Sequence, residues 1–165
     1  MSTKHPVSAV ALFCEDIREE KGDVDTLIGI LPDNVNVSSE IKSGEPGQPI
    51  LPRVLSKLCI YVKLNFDPSE EFTEGKAQLV LPDGTRKDVG VIRPQTISEA
   101  KIKAKENGIP VAGIKLRMVF GGFQVRGSGL MMVEMVLGDR TYLAGAINFK
   151  MKEDTKVTPT SSTAH

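Results

Sequence analysis

The stretch Leu58-Cys59-Ile60-Tyr61-Val62-Lys63-Leu64-Asn65-Phe66 alternates without a break. Leu58, Ile60, Val62, Leu64 and Phe66 fall on one side of an extended chain, and Cys59, Tyr61, Lys63 and Asn65 on the other. A side-chain period of two is the geometry of a half-buried β-strand. Asp67-Pro68-Ser69 ends it.

The same grammar extends in both directions. Residues 77–81 and 87–92 flank Pro82-Asp83-Gly84-Thr85, a strand, turn and strand in which Asp-Gly supplies the positive φ of a tight hairpin. Residues 114–120 alternate again, Gly121-Gly122 break or bulge the run, and 123–126 resume it. Residues 130–137 and 141–151 form a further hairpin around Gly138-Asp139-Arg140. Upstream, 8–14 is an apolar run of strand length and 26–31 a second, joined by the charged segment 15–23, which is expected to be a connection. Val35 and Val37 suggest a short strand. From 38 to 57, Gly44, Pro46, Gly47, Pro49 and Pro52 predict a long loop. One helix is expected over 97–106, with Thr96 and Glu99 as a capping box and Gly108 as its stop. Roughly seven to nine short strands and one short helix predict an all-β antiparallel sandwich. The domain is read as 1–152, followed by a polar, Ser/Thr-rich tail over 153–165.

Composition removes several function classes. A chain of 165 residues can bury a core without disulfides or a metal. Its 21 basic and 21 acidic side chains balance, so no global field draws it to nucleic acid or an anionic membrane. With no Trp and 5% aromatic residues, platforms for stacking bases or sugars are not expected. The two histidines, His5 and His165, lie at the ends, which argues against a His triad, a His metal site or a His general base. Cys14 and Cys59 sit in apolar runs and read as buried free thiols, too few for a secreted disulfide framework. The apolar stretch 7–14 is short and followed at once by acidic residues, unlike a signal peptide, and no run reaches membrane-spanning length. The chain is therefore read as cytoplasmic. No cofactor motif is found. The glycines around Phe123 and Ser128 lack both the following helix of a phosphate loop and the partners of a nucleophile elbow.

Two sets of residues remain as candidate sites. Glu15, Asp16, Asp23 and Asp25 concentrate carboxylates, and Ca²⁺ takes six to eight oxygen ligands. The plainer reading is a solvated turn with local ion pairs, since Arg18 and Lys21 are interleaved. The second set is a partner surface: Pro46, Ile50 and Leu51 in the loop, Phe123 beside its glycines, and Met132 and Val136. In 130–137 the parity Met131, Val133, Met135, Leu137 is wholly apolar and goes to the core. Met132 and Val136 then share the outer face with Glu134. Lys101, Lys103, Lys105 and Arg93 read as a solvated helix face. The expected function is a non-catalytic protein-binding or assembly module whose partner is another protein or a second copy, with no nucleic acid and no membrane. The alternative is a ligand- or calcium-binding domain using the acidic turn.

Leu12-Phe13-Cys14-Glu15-Asp16-Ile17-Arg18-Glu19-Glu20, followed by Gly22, Leu27-Ile28-Gly29, Leu51-Pro52 and Leu58, resembles an uncharacterised family of small bacterial proteins with an acidic FC(D/E)DIR motif near the N-terminus. The resemblance spans much of the chain. It implies a bacterial (or phage) cytoplasmic setting and an immunoglobulin-like sandwich, and it carries over no catalytic residues. The chain departs from the family in its longer Pro/Gly loop over 43–52 and in its tail.

Overall fold

The structure is a computed structural model that describes residues 5–38 and 53–152. Nine strands and one helix are present among them: β1 (Ser8–Glu20), β2 (Val24–Ile30), β3 (Asn34–Ser38), β4 (Arg53–Phe66), β5 (Gly75–Val80), β6 (Arg86–Ile92), α1 (Pro94–Glu106), β7 (Ala112–Val125), β8 (Gly129–Leu137) and β9 (Arg140–Lys152). They form an all-β sandwich. One sheet has the order β2-β1-β4-β7 and the other β3-β9-β8-β5-β6. Every pairing is antiparallel except β3 with β9.

The alternation of β4 is realised in full. Leu58, Ile60, Val62, Leu64 and Phe66 are all completely buried. Opposite them stand Met131, Val133, Met135 and Leu137 of β8, also completely buried, with Ile147 and Phe149 of β9. Each such side chain contributes about 1.5–3 kcal/mol of hydrophobic stabilisation, so these two strands dominate the core. At Gly145 of β9 the two sheets approach closely: a Cβ there would lie 2.9 Å from the Ala11 carbonyl oxygen of β1.

Three local expectations are corrected. The segment 15–23 is not a connection: β1 continues to Glu20 and pairs with β2 as far as Glu20–Val24. The turn is confined to 21–23, where Gly22 and Asp23 both adopt positive φ. The charges extend the strand because they have partners on β4 and β7, described below. The long loop expected over 38–57 ends by Arg53, where β4 begins; its centre lies outside the described residues. Helix α1 starts three residues early. Pro94 occupies its first turn, Arg93 is the N-cap, and no side chain caps it, because proline fixes φ for the first helical position and has no N–H to satisfy. Thr96 is inside the helix, so its capping box with Glu99 does not form.

The stop at Gly108 is realised, with φ +64 and its N–H donating to the Lys105 carbonyl. Ile97 and Ala104 bury the inner side of the helix, which packs on β7. No helix among the described residues is long and apolar enough to cross a membrane.

Candidate functional site

Among the described residues β6 and β7 are the edge strands on one side of the sandwich, each hydrogen-bonded to a neighbouring strand along one of its edges. Helix α1 sits against the first half of β7, its Ala100 and Lys103 bordering hollows shared with Gly113, Ile114 and Lys115. Along the second half of β7 no described residue covers the opening. Leu79, Leu81 and Val89 of the β5–β6 hairpin face Phe120 and Phe123 of β7 across a cleft of about 480 Å³. Lys87 and Arg126 stand at its rim. Leu81, Phe123, Gln124 and Arg126 also line an adjoining hollow of about 210 Å³ that reaches Met131 and Phe149.

Gly121-Gly122 shape this cleft. Before them the even-numbered residues of β7 (Ile114, Met118, Phe120) point inward; after them the odd-numbered Phe123 and Val125 do. β4 changes parity at the same level, with Leu58 and Leu55 both directed to the core. In β7 the reversal passes through Gly122, which adopts the left-handed φ of +63 that glycine tolerates. Phe120 and Phe123 therefore lie on the same side, their rings edge-to-face at 5.9 Å, and Phe123 reaches Phe149 at 6.5 Å.

The acidic residues are arranged otherwise. The tip of the β1–β2 hairpin reaches across β4 to β7. Asp25 accepts a hydrogen bond from Arg117 Nε at 2.6 Å, and its other oxygen, buried with no hydrogen bond, faces Lys115 Nζ at 3.5 Å. Lys115 also pairs with Asp23 at 3.2 Å, and Arg117 with Glu19 at 3.3 Å. Asp16 is held by Lys57 and by Arg18. The hydrogen bond from Lys57 keeps the Asp16 carboxyl below its ordinary range, and the one from Arg117 does the same for Asp25. Glu15 lies at the other end of the hairpin, its side chain filling the space where a Cβ on Gly29 would sit. Glu15, Asp16, Asp23 and Asp25 thus do not converge. Among the described residues no group of three or more His, Cys, Asp or Glu is placed to hold a metal ion.

Of the proposed partner residues, Phe123 lines the cleft. Met132 and Val136 are half-buried on the outer face of the five-stranded sheet, a different surface. Pro46, Ile50 and Leu51 lie outside the described residues. Ser128 Oγ accepts the Met151 N–H at 2.9 Å, a structural role. Lys101 is likewise structural rather than simply solvated, donating to the Glu70 carbonyl with its ammonium 5.6 Å from the centre of the Phe72 ring. Lys87, Val89, Phe120 and Arg126 were not legible as site residues. Their common feature is position beside an unpaired edge, which alternation does not encode. No protein-family model matches the chain, and no curated protein matches it.

Proposed function

We propose that this chain is a non-catalytic protein-binding module, acting in the bacterial cytoplasm, that takes an extended segment of a partner protein into the cleft between β6 and β7. The observation that carries the reading is the conjunction of two strand edges, singly paired among the described residues, with an apolar floor and flanking cations. A strand edge presents backbone N–H and C=O groups to an incoming chain, which gains main-chain hydrogen bonds by adding itself as a strand. Leu79, Leu81, Val89, Phe120 and Phe123 receive alternate apolar side chains, and Lys87 and Arg126 favour acidic residues between or beside them. A lysine on an edge strand ordinarily keeps other edges away. Here it selects, because only a segment carrying negative charge turns that repulsion into attraction.

The test is selection from a displayed library of random peptides against the immobilised chain. The reading expects enriched sequences that alternate apolar and acidic residues. Their affinity should fall at least tenfold with Phe123→Asp and with the double reversal Lys87→Glu, Arg126→Glu. The reversal variant leaves the floor intact, so it separates lost recognition from lost folding. Enriched peptides that bind both variants as well as the parent would refute the assignment of the cleft.

A further inference from the structure

Cys14 and Cys59 stand directly opposite each other on the antiparallel pair β1–β4. Both are free and completely buried, yet neither belongs to the core between the sheets. Leu58 and Ile60 point into that core, so Cys59 between them points to the other face of the sheet. Cys14 is also the residue at which β1 passes from one partner to the other, since it is paired with Cys59 on one side and with Ile30 of β2 on the other. Beyond it the β1–β2 hairpin continues alone and reaches over to β7. The two thiols thus lie at the root of the hairpin, and Cys59 Sγ donates to the Glu15 carbonyl at 3.5 Å.

Directly opposed residues on antiparallel strands have Cα atoms about 4.5–5.5 Å apart, within the roughly 4.4–6.8 Å that a disulfide spans. Their register thus puts the two Cα atoms within bridging range. Access is what the closed structure withholds. Burial first, and then the neighbouring Cys59 and Asp16, push the Cys14 thiol up to about 11. A protonated, covered thiol does not attack a disulfide. The cover is held by the contacts of Asp16 with Lys57, Asp25 with Arg117, and Asp23 with Lys115.

We propose that Cys14 and Cys59 are a thiol pair that closes to a reversible intramolecular disulfide when the hairpin lifts, stapling its root to β4. The oxidant is a small-molecule disulfide of the glutathione class. One cysteine, deprotonated on opening, attacks a sulfur of that disulfide, forming a mixed disulfide and releasing one small thiol. The second cysteine loses its proton and attacks the protein sulfur of the mixed disulfide, expelling the second small thiol. Two protein S–H bonds are lost and one S–S bond is formed. The oxidant is reduced to two thiols, which take up the two protons.

The experiment incubates the reduced full-length chain with oxidised glutathione and follows intact mass after acid quenching, with alkylation to count free thiols. The expected product is a monomer about 2 Da lighter than the reduced chain with no alkylatable cysteine. Its Tm should be raised by on the order of 5–10 °C, since the bridge closes a long loop. Arg117→Met, which removes the anchor of the hairpin tip on β7 and leaves both cysteines in place, should form the bridge several-fold faster than the parent. Stable glutathione adducts, chain-to-chain dimers, or thiols left unreacted while the urea-unfolded chain oxidises would each overturn the pairing. Equal rates in parent and Arg117→Met would overturn the hairpin as the cover.

Discussion

Replacing Arg117 with Met tests whether the acidic hairpin is held by ion pairs to β7. Arg117 Nε meets Asp25 Oδ1 at 2.6 Å, a charge-assisted length. The Asp25 side chain is only 4% exposed, so it cannot turn to water when its partner is removed. Hydrogen bonds to charged groups contribute about 1.5–3 kcal/mol, and orphaning a fully buried carboxylate costs about 3–5 kcal/mol. Lys115 remains 3.5 Å from the other oxygen, and the Arg117 side chain is itself 31% exposed. The lower range therefore applies, about 2 kcal/mol, or a Tm lowered by about 4–8 °C in a chain of this size. The pH dependence has a definite sign. The hydrogen bond from Arg117, joined by the nearby Lys115 charge, holds the folded Asp25 carboxyl below its ordinary value of 3.8. Its contribution is complete above that value and is lost as pH falls through the lower, folded value. Urea unfolding of parent and variant should differ by about 2 kcal/mol at pH 7 and converge in acid, while a double-mutant cycle with Asp25→Asn isolates the pair. Unchanged stability of Arg117→Met at pH 7, or a difference that persists in strong acid, would refute the reasoning.

Other substitutions and titrations follow from single observations. Calorimetric titration with Ca²⁺ should release no binding heat and shift no Tm, because Asp16, Asp23 and Asp25 are already paired with lysines and arginines; a saturable heat would restore the calcium alternative. Gly122→Ala should lower stability by about 1–2 kcal/mol through left-handed strain alone, since the nearest atom to its Cβ is Val54 Cγ1 at 3.8 Å. Gly145→Val should cost about 1–3 kcal/mol by overpacking, with the Ala11 carbonyl oxygen only 2.9 Å from the new Cβ; chemical denaturation measures both glycine variants. Thr96→Ala should leave stability within about 0.5 kcal/mol, where a capping residue would cost about 1 kcal/mol, because Thr96 lies inside the helix and no side chain caps it.

What the sequence disclosed is what half-burial writes into it. Over 58–66 and 131–137 one parity is completely buried and the other, Cys59 apart, is half-buried or exposed, so Leu58 through Phe66 and Met131 through Leu137 were readable as inward rows. The β5–β6 turn was readable because Asp83 and Gly84 have local reasons to be there: Asp83 accepts the Thr85 N–H at 2.8 Å, and Gly84 has φ +82. Contacts distant in sequence were not readable. Asp25 and Arg117 are 92 positions apart, so the charges at the hairpin tip looked like a solvated turn or an ion site when Glu19, Asp23 and Asp25 had their partners on β7. The parallel pairing of β3 with β9 left no trace in periodicity either. Phe123 was singled out for its neighbouring glycines, and Gly122 does place it in the cleft, through a reversal of strand parity that alternation alone read as a break.

The same distinction separates the two surfaces on which a partner could be sought. On the outer face of the five-stranded sheet, Met132 lies beside Val80 and Ala146, and Val136 beside Lys76 and Thr141. The charges among them are already spent on one another: Glu134 pairs with Arg86, and Asp88 accepts from Lys76 and from Gln78. A partner covering this face would desolvate those pairs while offering them nothing better, a net cost unless its own groups replace the lost water. Its backbone is also fully engaged at β8 and β5, which have neighbours on both sides. The cleft differs in both respects. Among the described residues β6 and β7 keep one edge each outside the ladder, and the exposed Lys87 and Arg126 border an apolar floor. An extended acidic segment there gains main-chain hydrogen bonds, apolar burial and charge pairing together. The outer face can supply only the apolar burial, which is why we propose recognition at the edge of this sandwich and not on its face.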